Sequence, residues 1–139
     1  MKWGRILLAG IGVPLAAFLL VTLAATGYAF KLAFAVRGAP DQALIGQFAA
    51  HMGRSYWWIL QSLLTMAAAF WAARTVQESH VLHGVSVGVV VAGSGLVVAG
   101  TLNVRTIAVC ALTVGAGWLG GVLAAGRKAR QDRGHPAAL

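Results

Sequence analysis

The sequence is poor in charge, and poorest in negative charge. Only 10% of its 139 residues are charged, and just three are acidic: Asp41, Glu78 and Asp132. Soluble domains carry about 25% charged residues, so this chain has too few to cover a water-facing surface. Cysteine occurs once, at Cys110, which excludes an intrachain disulfide and any cysteine-based metal site. Proline occurs 3 times and glycine 18 times without a Gly-X-Y repeat, which excludes collagen-like and proline-rich disordered chains. The length suits a single unit.

What is present is apolar. Hydrophobic residues make up 59% of the chain, and they gather in four tracts free of charged side chains: residues 6–30, 55–73, 81–102 and 106–126. A hydrocarbon core of about 30 Å takes roughly 20 helical residues at about 1.5 Å each. Each tract is long enough to cross it. Lipid offers the backbone no hydrogen-bond partners, so a span is either a helix or a strand of a closed barrel. Barrel strands are about 10 residues long and alternate in polarity, and these tracts do neither. The expected fold is therefore all-α: a polytopic integral membrane protein with four transmembrane helices in a single membrane domain. The first tract exceeds the usual apolar length of a cleaved signal and is expected to remain as a helix. Residues 127–139 form a basic C-terminal tail.

The connection 31–54 is long enough to hold structure of its own. Pro40-Asp41 suits a helix start, and Leu44, Ile45, Phe48 and Met52 follow at helical spacing. This predicts a short amphipathic helix on the membrane surface; an extension of the second span or an irregular loop is the alternative. Asn103-Val104-Arg105 is so short that the third and fourth helices should form a tight antiparallel hairpin.

The cations set the expected orientation. Lys2, Arg5, Arg74, Arg127, Lys128, Arg130 and Arg133 fall on the side of the termini. Lys31, Arg37, Arg54 and Arg105 fall on the other, which completes the 11 Lys and Arg. The positive-inside bias places both termini in the cytoplasm of a bacterial inner membrane. The net charge of +8 sits at the ends of apolar tracts, where it meets anionic headgroups rather than nucleic acid. Trp3, Trp57, Trp58 and Trp71 lie near span ends as interfacial anchors; Trp118 lies deeper and is expected to pack.

The strongest pattern is small residues at helical spacing. The third helix carries Gly84, Gly88, Ala92 and Gly95 on one stripe, and the fourth carries Gly117, Gly121 and Ala125. Such residues let helix backbones approach closely where lipid supplies no hydrophobic drive between helices. One run opens its helix and the other closes its own, so a hairpin puts both at the same depth. Gln61 and Thr65, on one face of the second helix, should face protein rather than lipid. Pro14 deprives the Gly10 carbonyl of its helical partner, and a kink is expected there.

Glu78, His80 and His83 form an E-x-H-x-x-H cluster that could offer two imidazoles and a carboxylate to a metal. Its spacing matches no strong metal motif, and polar contacts at a membrane boundary explain it better. His83 beside the small Gly84 also suggests room for a tetrapyrrole. No carboxylate or lysine lies inside a tract, whereas proton relays and ion-coupled transporters need one. No nucleophile–base set and no phosphate loop occurs. The expected function is thus non-catalytic, with no cofactor and no metal. It is that of an accessory or structural subunit that packs with itself or with a larger membrane complex. The alternative is a small oligomeric channel lined by Gln61, Thr65 and the two histidines.

Overall fold

The computed structural model describes residues 3–74, 76 and 79–134, with side chains for all of these except 99 and 131–134. Among them there are helices and no strands. The helices are α1 (Trp3–Val36), α2 (Gln42–Ser55), α3 (Trp57–Ala73), α4 (His80–Ala99) and α5 (Val104–Gly134). α1, α4 and α5 are long and apolar enough to cross a membrane, and α3 is a shorter apolar helix of 17 residues.

α1, α3, α4 and α5 pack as a bundle. α3 and α4 touch each other and both outer helices, while α1 and α5 stay apart. At the centre lie Ile6, Ala9 and Val13 of α1, Ala69 and Ala72 of α3, and Val87 and Val91 of α4. The bulkiest apolar side chains point away from this centre. Leu8, Phe18, Leu23, Ile107 and Trp118 are all about half exposed or more. A water-soluble bundle would bury them; small residues inside and large ones outside are what a lipid-facing bundle needs. Trp118, expected to pack, is instead 49% exposed on the outer face of α5, in a groove shared with Trp58 of α3.

The helix ends follow local chemistry. The Asp41 carboxylate accepts a hydrogen bond from the Ala43 amide at 2.8 Å and caps α2. Gly100, at φ 63°, closes α4 in the left-handed conformation that glycine adopts without strain. Asn103 then opens α5: its Oδ1 accepts from the Thr106 amide at 2.8 Å and from the Thr106 hydroxyl at 3.0 Å. The α4–α5 turn thus occupies residues 100–103, slightly earlier than the sequence suggests. At the other end α5 runs on to Gly134. Ala, Arg, Lys and Gln are strong helix formers and nothing in this stretch breaks the helix, so the basic segment from Arg127 begins as helix. α1 passes through Pro14 as one helix.

The largest departure from the expected layout concerns α1 and α2. The starts of α1 and α4 both meet the end of α3, through Arg5 over Trp71 and His80 at the Ala73 carbonyl. α1 and α4 therefore run in parallel, and Gly10 against Val90 puts residue 10 level with residue 90. When α4 ends at Ala99, α1 has reached Leu19. Residues 20–36 carry it on by roughly 25 Å. α2 folds back along this extension. Tyr28 stacks on Phe48 with ring centroids 4.2 Å apart. Ile45, Phe48, Ala49 and Met52 are half-buried, as are Val21, Ala24, Ala25, Tyr28 and Ala29 of α1. Backbone hydrogen bonds continue from α2 into α3: Tyr56 donates to the Met52 carbonyl, and Leu60 donates to Tyr56. The amphipathic helix exists, but its apolar stripe faces α1, and the helix leads almost without interruption into α3.

Candidate functional site

The small-residue stripes of α4 and α5 come together, and backbone meets backbone. A methyl group placed on Gly117 would lie 2.5 Å from the Gly84 carbonyl oxygen and 2.9 Å from the Gly88 Cα. One on Gly84 would collide with the Gly117 carbonyl and lie 2.8 Å from the Gly121 Cα. A methyl on Gly88 would lie 2.9 Å from the Val114 Cα, and one on Gly121 would lie 2.9 Å from the His80 carbonyl oxygen. Ordinary carbon contacts need about 3.5–4 Å, so these positions have no room for a side chain.

The stripes diverge at both ends. Ala125 is only half-buried, because the turn before it, at Gly121, already reaches the start of α4. Ala92 still meets α5, where its carbonyl accepts a long 3.8 Å bond from the Cys110 thiol. Gly95 faces α3 instead, with the Gln61 amide nitrogen 3.5 Å from where a methyl would sit. Two further close approaches were not anticipated from the pattern. Gly120 lies against α3, where a methyl would meet the Met66 carbonyl at 2.5 Å and the Phe70 amide at 3.0 Å. Gly10 meets the Val90 side chain. The adjacent pair Gly120-Gly121 carries the missing signal: neighbouring helix positions point about 100° apart, so two glycines in a row serve two neighbours.

The polar candidates separate into two groups. Thr65 and Thr113 are fully buried, and each hydroxyl donates to its own helix: Thr65 to the Gln61 carbonyl at 2.7 Å, Thr113 to Val109 at 2.8 Å. Gln61 is 4% exposed, and neither end of its side-chain amide has a hydrogen-bond partner among the described residues. It lines a cavity of about 260 Å³ between α3, α4 and α5, at the end of the bundle away from the termini. Arg54 and Arg105 stand at its mouth, and an Arg105 Nη2 N–H donates to the Arg54 carbonyl.

The histidines lie near the other end. His80 Nδ1 lies 2.8 Å from the Ala73 carbonyl, tying the start of α4 to the end of α3. His83 Nδ1 lies 3.1 Å from the Ser79 carbonyl. A carbonyl only accepts, so both Nδ1 atoms carry the proton. His83 Nε2 is buried with no partner among the described residues. Glu78 lies outside the described residues, and no group of three metal-ligating side chains occurs among those described. The space beside Gly84, where a flat macrocycle would sit, is filled by the backbone of Gly117 and Gly121.

Comparison with known proteins gives no match: no family model, no curated protein and no solved structure corresponds to this chain. The geometry alone carries the functional reading.

Proposed function

We propose that the chain is a small non-catalytic subunit of a bacterial inner membrane. In this reading α1, α3, α4 and α5 all cross the bilayer, and both termini lie in the cytoplasm. α2 and the end of α1 form an arm at the outer membrane boundary. The arm assembles with a second copy or with a larger membrane complex. The observation that carries this reading is the uncovered side of that arm. Leu23, Phe30 and Phe34 are each more than 60% exposed on one face of α1, while α2 covers the other. An apolar stripe beyond the end of the α4–α5 hairpin calls for a protein surface to bury it.

Intact-mass measurement in a mild detergent tests this directly. The wild-type chain is expected above the mass of a monomer, and the double substitution Phe30→Glu, Phe34→Glu is expected to reduce it to a monomer with unchanged helicity. A wild-type chain that stays monomeric and brings nothing with it would overturn the assembly. Orientation has a separate test, thiol labelling of Arg130→Cys in a Cys110→Ala background. Labelling is expected only after the cells are permeabilised, because the cation bias holds that end inside.

A channel has less behind it. The Thr65 and Thr113 hydroxyls are turned back into their own helices, and Gln61 and His83 lie toward opposite ends of the bundle.

A further inference from the structure

The cavity at the α4–α5 turn end of the bundle combines three features that point to one kind of ligand. Its mouth is cationic. Arg54 and Arg105 both border it, and neither guanidinium has a carboxylate partner among the described residues. Asp41 is the single carboxylate among the described side chains, and it is engaged at the opposite end of α2, roughly 20 Å of helix away. Arg105 is held in place through its bond to the Arg54 carbonyl, and the Arg54 Nε–H reaches the Ala50 carbonyl at 3.4 Å. Each guanidinium presents five N–H donors, so most of both forks remains available to an anion.

The interior is neutral but has a hydrogen-bonding group left over. Gln61 is more than nine-tenths buried and lines the cavity, and its side-chain amide has no hydrogen-bond partner among the described residues. A buried amide is normally satisfied, and here a bound molecule would supply what the protein does not. Gly95 lies across from Gln61, where a methyl would come within 3.5 Å of the Gln61 amide nitrogen, so glycine there leaves the amide accessible from the cavity. The remaining wall includes Ala92, Val109 and Cys110, which suits hydrocarbon.

We propose that this cavity binds the phosphate-bearing head of an anionic amphiphile. The phosphate oxygens accept from Arg54 and Arg105, the first carbonyl or hydroxyl below the phosphate bonds to Gln61, and the start of the tail lies along Ala92 and Val109. Two arginine forks match phosphate oxygens geometrically. Trp57 and Trp58 flank the opening, at the depth where indole rings meet headgroups. A free phosphate ion would satisfy the arginines but leave Gln61 and the apolar wall unused.

Cys110 makes the proposal measurable, because it is the sole thiol of the chain and lies on the cavity wall. The experiment follows maleimide alkylation of Cys110 in the full chain, purified in a neutral sugar detergent, during titration with short-chain phosphatidic acid. Alkylation is expected to slow severalfold and to saturate. Short-chain phosphatidylcholine and inorganic phosphate are expected to leave it unchanged over the same range. Arg54→Gln and Arg105→Gln remove charge-assisted bonds and should each raise the half-protecting concentration about tenfold. Gln61→Leu, which keeps the volume without the amide, should raise it as well. Both arginines are exposed, so their substitution leaves the bundle intact, and unchanged helicity verifies this. Equal protection by phosphatidylcholine, by inorganic phosphate, or in the double arginine variant would overturn the proposal, as would no protection by phosphatidic acid.

Discussion

Gly117→Leu is expected to cost about 3 kcal/mol, the upper end of what overpacking costs, and to pull the α4–α5 hairpin apart. The reason is the nature of what it would strike. A β-carbon at residue 117 would lie 2.5 Å from the Gly84 carbonyl oxygen and 3.0 Å from the Gly88 amide nitrogen. Backbone atoms inside a helix cannot rotate aside as a side chain can. The helices must separate, and their dispersion contacts and weak Cα–H···O bonds go with the separation. Denaturation of the detergent-solubilised protein, followed by circular dichroism, measures the loss. Gly93→Leu is the matched control. It lies on α4 with nothing within 4 Å of the new carbon, and exposed sites of this kind change stability by less than about 0.5 kcal/mol. If the two variants melted alike, close backbone packing would not be what holds this hairpin.

Gly120→Leu is expected to have a loss of similar size through a different contact. Here the collision is with α3, at the Met66 carbonyl, the Ala69 methyl and the Phe70 amide, all within 3.0 Å. The hairpin should persist while α3 detaches from α5, so the two variants are distinguishable. A disulfide between the native Cys110 and a cysteine introduced at Ala92, whose carbonyl the Cys110 thiol already reaches across the α4–α5 contact, reports on the hairpin. It should still form in Gly120→Leu and be lost in Gly117→Leu. Gly115→Leu, on the same helix with open space around it, is the control. A Gly120→Leu protein with unchanged stability would show that the α3–α5 contact contributes little.

Much of the helical layout was legible from the chain alone, because long uncharged tracts are helices wherever water is absent. The Gly84/Gly88 and Gly117/Gly121 runs were legible for a similar reason. They repeat every four residues, and the short turn between their helices leaves few ways to bring them together. Gly10 and Gly120 were not legible as contact points. A single glycine shows that a close approach is possible, not which neighbour makes it. Nor did the pattern of α2 reveal where its apolar stripe would go. Leu44, Ile45, Phe48 and Met52 suit a lipid surface and the side of α1 equally well, and only the stacking of Tyr28 on Phe48 decides between them.

The cavity shows the same division at the scale of a site. Arg54, Gln61 and Cys110 have no sequence relationship that would group them, and Arg105 reads at first as one more charge ending an apolar tract. They meet because α3 and α5 run parallel, which places the Arg54–Gln61 segment beside the start of α5. Composition and the spacing of small residues by themselves determined that the chain is helical, suited to lipid and tightly paired between α4 and α5, since these follow from the cost of unpaired backbone in hydrocarbon and from local helical period. Which glycine meets which helix, where α2 lies, and which cations share a mouth with a buried amide were decided only by tertiary structure, because they depend on the relative rotation and register of helices far apart in sequence.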